Sequence, residues 1–253
     1  MNKNPQFLRN PQLDGSPFFW PKGEVAILCL HGFTATTVEV RQIAEYFSQQ
    51  GYTTCAPLLP GHGTSPIEMN KTGWKDWLGT AESSLVDLMK NYQKIFILGE
   101  SMGGLLAIHL AAKYPTLLGA MIFAPAIKIP RLWMSKFLWP FKSNLDKGKP
   151  NDSIPQQSYK AFPLKAAASL YDFQRIVRRE LHKVTLPVLI FQGKLDETVD
   201  PMGAVYAYEH IASEDKDFIL LDSSAHIILL DRQLPQVKPI CNEFILTHQD
   251  RFS

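Results

Sequence analysis

Apolar and polar positions along the chain fall into two alternating kinds of segment. Val25–Leu30 (VAILCL) is an unbroken apolar run of strand-forming residues, the pattern of a strand covered on both faces in a parallel sheet. Ile95–Leu98 (IFIL) repeats it, and Thr53–Pro57, Ala120–Ala124, Val188–Phe191 and Phe218–Leu221 read as further short strands. Between these runs the apolar positions recur at helical spacing. Val38–Gln50 carries Val40, Ile43, Ala44 and Phe47, and Gly51 stops it. Trp74–Tyr92 carries Trp74, Trp77, Leu78, Ala81, Leu85, Leu88 and Met89; Leu105–Tyr114 is an apolar helix closed by Pro115; Val237–His248 puts Ile240, Phe244 and Ile245 on one face. The alternation predicts an α/β fold, a doubly wound and mostly parallel sheet with helices on both faces. In such a sheet ligands bind at the carboxyl ends of the strands.

One stretch breaks the alternation. Between Ala124 and Val188 the chain has Pro130, Pro140, Pro150, Pro155 and Pro163 and no clear strand, and it includes the aromatic run Ile129–Phe141 (IPRLWMSKFLWPF). A structureless loop of that length does not fit a compact domain. Residues 126–182 therefore read as a helical cap inserted over the active edge of a single domain spanning 1–253. No internal repeat or low-complexity tract is visible.

Composition narrows the class of protein. Apolar residues make up 45% and charged residues 20% of 253, with a net charge of +2, as in an ordinary soluble globular protein. The densest basic cluster, Arg175, Arg178 and Arg179, adjoins Glu180 and reads as a solvated helix face, so nucleic acid is not an expected partner. Cys29, Cys55 and Cys241 include no C-x-x-C pair, which argues against zinc or redox chemistry; Cys29 reads as a small buried hydrophobe. The opening MNKNPQFLRNPQ has no apolar core of a secretory signal, and no apolar run approaches the ~20 residues that span a bilayer. A cytoplasmic protein is the expectation.

The chemistry-bearing motif follows the second apolar strand. Gly99-Glu100-Ser101-Met102-Gly103 fits G-x-S-x-G, a pattern that is weak alone and specific only between a buried strand and a helix, where it stands here. A strand that turns sharply into a helix clashes with flanking side chains, so glycines belong two before and two after the serine. The same stretch would also suit a plain turn with a capping serine. A serine nucleophile needs a base, and in this arrangement an acid and then a histidine follow it along the chain. Of seven histidines, His31, His62 and His109 precede the serine or lie too close to it, His182 and His210 read as helical, and His248 is near the end. His226 sits in a polar turn after the last strand and is the candidate base. Asp196, after strand Val188–Phe191, is the candidate acid, with Glu197 and Asp200 as rivals. The Met102 N–H, and the Phe33 N–H after His31-Gly32, are candidate donors to an oxyanion. His31 reads as a hydrogen-bonding anchor of that loop.

Taken together these residues resemble the α/β-hydrolase superfamily across nearly the whole chain. HGFTATTVEVRQIAEYFSQQGYTTCAPLLPGHG, the Trp74–Trp77 segment, GESMGG, GKLDETVDP and SSAHIILLD are similar to the bacterial carboxylesterase and monoacylglycerol lipase group. The resemblance implies a triad of Ser101, Asp196 and His226, oxyanion donors at Phe33 and Met102, no metal and no other cofactor. It implies a serine carboxylic-ester hydrolase acting through an acyl-enzyme on short- to medium-chain acyl esters, monoacylglycerols among them. The chain departs from the group at Glu100, where relatives often carry leucine. Phe33, Trp133, Phe137, Leu138 and Trp139 are candidate substrate-binding residues, and the cap aromatics equally suit core between cap and sheet. The expected partner is a small-molecule ester, with at most transient contact between the cap and a lipid interface, in a monomer or homodimer. Alternatives are a triad hydrolase for a hydroxycinnamoyl ester, thioester, amide or carbon–carbon bond, and a non-catalytic ligand-binding relative. Ser101 argues against haloalkane dehalogenase or epoxide hydrolase chemistry, which needs an aspartate there.

Overall fold

A computed structural model describes residues 5–148 and 154–251; Pro150 lies outside them. A seven-stranded sheet forms the centre. In chain order its strands are β1 (Phe18–Trp20), β2 (Val25–Leu30), β3 (Thr53–Ala56), β4 (Lys94–Glu100), β5 (Gly119–Phe123), β8 (Val188–Gly193) and β9 (Lys216–Leu221). In space they run β1-β3-β2-β4-β5-β8-β9, and all neighbours are parallel except the β1–β3 edge pair. The crossover helices are α1 (Val38–Gln49), α3 (Trp74–Met89), α4 (Met102–Lys113), α6 (Leu164–Glu180) and α7 (Pro201–His210); α8 (Leu234–His248) follows the last strand, and α2 (Pro66–Met69) is a single turn.

The unbroken apolar strands serve two cores. Ala26, Leu28 and Leu30 of β2 face a cluster with Trp77, Leu105, Phe173 and Ala204 of α3, α4, α6 and α7. Val25, Ile27 and Cys29 point the other way, among Ile43 and Phe47 of α1 and Cys241 and Ile245 of α8. The period-two alternation thus distributes one strand between both faces. Gly51 closes α1 at φ +93, and the Tyr52 N–H reaches back to the Phe47 carbonyl at 3.0 Å, a left-handed helix stop that favours glycine. Arg175, Arg178 and Arg179 are exposed along α6, as a solvated face requires.

The stretch read as having no clear strand holds one hairpin. After the short α5 (Ser135–Leu138), β6 (Asn144–Asp146) pairs antiparallel with β7 (Ala161–Pro163). Three-residue strands, one ending in proline, leave no alternation to read. Beyond the hairpin the segment is stitched to distant chain. The Tyr159 N–H donates to Thr34 O at 3.1 Å, Arg9 N–H to Ser158 O at 2.8 Å, and Lys160 N–H to Phe7 O at 3.0 Å. The loop after β2, the N-terminal segment and residues 158–160 are thereby joined above the carboxyl edge of the sheet.

Candidate active site

Ser101 occupies the turn from β4 into α4 with φ 57 and ψ −114, a conformation that costs energy for any residue with a Cβ. The surroundings enforce it. A Cβ on Gly103 would lie 2.0 Å from Leu30 O, and one on Gly99 would lie 2.1 Å from Gly103 O. The two glycines let the helix start against β2, and the serine hydroxyl is lifted out of the sheet.

The hydroxyl meets a histidine. Ser101 Oγ–H donates to His226 Nε2 at 2.9 Å, and His226 Nδ1–H donates to Asp196 Oδ2 at 2.9 Å. Asp196 follows β8 and His226 follows β9, so the three side chains come from the carboxyl ends of three strands. The other carboxylate oxygen of Asp196 accepts the Thr198 and Val199 N–H groups at 2.8 and 2.9 Å, and Gln192 Nε2 donates to Oδ2 at 3.0 Å. Burial alone would raise the Asp196 carboxyl. The His226 bond and charge, with the Val199 and Gln192 donors, outweigh it and hold the group below its ordinary value. An ionised Asp196 fixes the imidazole tautomer that leaves Nε2 free to take the serine proton.

The rival residues are occupied elsewhere. Glu197 is exposed, and Asp200 caps α7 through the Met202 N–H and pairs with Lys128 at 2.6 Å. His109 bonds Glu180, His248 bonds Asp215, and His210 bonds the Tyr206 carbonyl. His31 is the loop anchor: Nε2 accepts the Leu59 N–H at 3.1 Å and Nδ1 meets Gly32 O at 3.0 Å. Burial lowers it to about 4, with the Gly32 bond pulling the other way, so the ring is neutral when it holds the loop.

That loop carries Phe33. Neither the Phe33 N–H nor the Met102 N–H has a hydrogen-bond acceptor among the described residues. Two free N–H groups, one at a helix start, suit a developing oxyanion beside Ser101. The Phe33 ring packs edge-on against Trp77 and Phe162, with centroids 5.8 and 5.2 Å away.

Ser101 and His226 open into a cavity of about 330 Å³ lined also by Phe33, Ile129, Phe162, Leu170, Thr198 and Ile227. Trp133, Phe137, Leu138 and Trp139 are not brought to it. They are 52%, 67%, 37% and 40% exposed. Leu132 and Ser135 are the buried residues of their turns, which leaves the ring pair Trp133–Phe137, 5.9 Å apart, on the outer side.

The remaining cavity wall was not legible in the sequence. It contains Arg9, Glu39, Lys147, Gln156 and Ser158. Glu39 is buried, accepts the Gly32 N–H, and accepts Gln156 Nε2 at 3.3 Å. Burial raises its carboxyl, against Gly32, His226, Gln156 and Lys147. Lys147 Nζ donates to Thr34 Oγ1; burial and the nearby Arg9 lower its ammonium to about 7, against the pull of Glu39. A glutamate flanked by Val38 and Val40 was the one local signal, and in a first helical turn it also reads as a partner of the helix dipole.

Glu100, the departure from the family pattern, lies wholly buried behind the serine. Its Oε1 accepts the Leu229 N–H at 3.1 Å, which ties the elbow to the turn that carries His226, and Oε2 has no partner among the described residues. Burial, then the neighbouring Glu39, push this carboxyl well above the ordinary range, against the Leu229 and Ile228 N–H groups. Among the described residues no cluster of His, Cys, Asp and Glu could hold a metal ion, and no helix is long and apolar enough to cross a membrane.

The chain is 31% identical to a thermostable monoacylglycerol lipase of Bacillus sp. (strain H-257), over 94% of this chain and 97% of that protein. It is 28% identical to a carboxylesterase of Bacillus subtilis (strain 168), over 90% and 95%. Among solved structures, one from work on the metagenome-derived lipolytic enzymes LipS and LipT superposes with a TM-score of 0.89 at 28% identity, covering 92% of this chain and 98% of that one. The monoacylglycerol lipase of Paleococcus ferrophilus shares the fold, with a TM-score of 0.79 at 21% identity over 93% and 100%. The mostly parallel α/β sheet expected from the strand pattern, and the α/β-hydrolase form of it that the resemblance implies, are the ones found. The family model for serine aminopeptidase, S33, matches residues 21–159 and 155–233, and the chain belongs to this family of hydrolases.

Proposed function

We propose that the protein is a serine hydrolase that cleaves carboxylic esters of short- to medium-chain acids, monoacylglycerols among them, through an acyl-enzyme on Ser101. The observation that carries this reading is the unbroken relay from Ser101 Oγ through His226 to Asp196, two bonds of 2.9 Å each, at the wall of a cavity. In the first half-reaction Ser101 Oγ attacks the ester carbonyl carbon as His226 Nε2 takes its proton. Negative charge then develops on the carbonyl oxygen, which the Phe33 and Met102 N–H groups receive. Collapse of this adduct breaks the bond to the alcohol oxygen, and His226 returns the proton to it. Water repeats the sequence on the acyl-serine, and Asp196 stays ionised throughout to stabilise the imidazolium.

Cavity size supports the shorter acyl chains. About 330 Å³ is at the small end of ligand cavities, which run from roughly 300 to 1,000 Å³. The names of the relatives support an ester over the amide that the family description suggests. In this reading the part of residues 126–182 that precedes α6 acts as the cap, since α6 itself packs in the core that β2 faces, and the outward Trp133, Phe137, Trp139 and Phe141 beside Lys136 and Lys142 give the cap brief contact with a lipid interface. All the residues used belong to one chain, so a monomer suffices.

The test is labelling by a fluorophosphonate together with a substrate panel of nitrophenyl esters of graded length, monoacylglycerols and aminoacyl nitroanilides. Stoichiometric labelling at Ser101 and fastest turnover of short to medium esters are expected. Absence of labelling would remove the serine mechanism, and faster cleavage of the anilides would replace the ester with an amide.

A further inference from the structure

Two basic side chains in the wall of the Ser101 cavity have no carboxylate within 4.0 Å among the described residues. Lys147 leaves the hairpin strand β6 and its ammonium donates to Thr34 Oγ1; the described residues offer it no carboxylate within 4.0 Å. Arg9 is carried in by the pairing of its N–H with Ser158 O, and its Nη2 donates to Gly148 O at 2.7 Å, again with no carboxylate in range among the described residues. An ammonium has three N–H donors and a guanidinium five, so among the described residues most of their capacity is unspent. Glu39 is the carboxylate nearest in kind, but its two oxygens accept from Gly32 and Gln156, and burial favours its uncharged form. Burial and Arg9 lower Lys147 to about 7, so below that pH its ammonium stands charged beside the Arg9 guanidinium, and charges in a partly desolvated wall attract an anion more strongly than charges in open water do.

The position of this wall ties it to the reaction. Thr34, which Lys147 touches, directly follows Phe33, whose N–H is a candidate oxyanion donor. An anion held here therefore lies within the reach of a molecule whose carbonyl is at Ser101.

We propose that Lys147 and Arg9 form an anion subsite of the cavity, so that the preferred substrates are short-chain esters carrying a carboxylate or phosphate. This rests on the ester-hydrolase reading above. The subsite supplies binding and orientation only; bond breaking stays with Ser101 and His226. A neutral alkyl or glyceryl ester leaves the two cations without a counterion, whereas an anionic one gains charge-assisted hydrogen bonds to both.

The experiment compares kcat/KM at low ionic strength for matched substrates: 1-butyrylglycerol as the neutral ester, its 3-phosphate, butyryl glycerate, and glycerol monosuccinate. The second and third carry phosphate or carboxylate on the alcohol, and the fourth carries carboxylate on the acyl half. At least one anionic ester is expected to exceed the neutral one by about tenfold, and the arm that does so identifies the anion and its side. The ratio should fall toward one in Lys147→Met and in Arg9→Gln, and survive in Lys147→Arg. The wild-type chain gives a second reading that needs no variant. Glycerol 3-phosphate or succinate should compete with the neutral ester where glycerol at the same concentration does not. A neutral ester that outruns all three anionic ones, or a ratio untouched by both substitutions, or absence of competition, overturns the subsite. Should fluorophosphonate label Ser101 while any of these holds, only the subsite is lost. Should labelling and all ester turnover be absent, the underlying reading falls and takes the subsite with it.

Discussion

At the carboxyl edge of the sheet every group that meets Ser101 is held by main chain. Asp196 is gripped by two N–H groups, the serine by its strained turn, and His226 by a turn tied to Glu100. In the segment above it the elements are short, α5 has four residues and β6 and β7 three each, and the charged and aromatic side chains reach outward or into the cavity from these short elements and the turns beside them. The edge is built to hold a few atoms at hydrogen-bond distance, 2.9 Å from one to the next, as proton transfer needs. The segment above it carries none of the residues of the relay from Ser101 through His226 to Asp196. The largest test of that division is Ser101→Ala. With Ser101, His226 and Asp196 as the proposed triad, it should lower kcat on a nitrophenyl ester by on the order of 10⁶, because triad members act as a unit, while the melting temperature stays within a few degrees. A residual activity within tenfold of wild type would move the chemistry away from this edge.

Asp196→Asn gives the next largest effect. An amide cannot hold the imidazole in the same tautomer, so kcat should drop by about 10⁴ with the fold retained. The change also has a pH signature. The folded Asp196 carboxyl lies below its unfolded value of 3.8, so its contribution to stability is full above that pH and is lost as pH falls through the folded value. Thermal unfolding between pH 5 and pH 2 should therefore be less pH-dependent in the variant than in wild type. Equal slopes would mean that Asp196 gains nothing from His226 on folding.

The same division explains what could be read from the sequence. Val25–Leu30 and Ile95–Leu98 are legible because a strand covered on both faces has no polar position to spare, and their ends locate the turns where Ser101 and the loop of Phe33 stand. Asp196 and His226 are legible for a related reason, each lying in the polar turn that follows a strand end. Glu100 stood out as a departure from the family pattern, but its burial depends on the turn at residues 228–229. Arg9 and Lys147 were out of reach, since residues 7–9 pair with 158–160, about 150 residues further on, and Lys147 meets Thr34, 113 residues before it; no local periodicity reports contacts between segments so far apart in sequence. The outward cap aromatics misled for a related reason. An aromatic run is usually core, and only the packing of Leu132 and Ser135 turns the rings away.

A smaller effect is expected at Glu100, on the edge but outside the relay. Its carboxyl retains a proton in the folded chain at pH values where the unfolded chain, with an ordinary value of 4.5, has released it. Rising pH above 4.5 therefore favours unfolding, and this penalty grows until the folded value is reached. Glu100→Gln keeps an acceptor for the Leu229 N–H and cannot ionise. It should match wild type near pH 4 and melt higher at pH 8, on the order of 2–4 °C if the relief is about 1 kcal/mol. A difference that is constant from pH 4 to pH 8 would show that the carboxyl is ionised in both states.

The smallest effects belong to the outer face of the cap, where the comparison is sharpest because the side chains are large and the expected cost is slight. Phe137 and Phe141 are 67% and 90% exposed and do not line the cavity. Their replacement by serine removes little packing, so each should change stability by no more than about 0.5 kcal/mol. Turnover of a water-soluble nitrophenyl butyrate should move by less than about twofold. Turnover of an emulsified monoacylglycerol depends on residence at the lipid surface as well, and it should fall several-fold in Phe137→Ser/Phe141→Ser. Measured side by side, the two substrates separate surface contact from the cavity: equal losses on both would put these rings in the path to Ser101, and no loss on either would leave them without a part in catalysis at an interface.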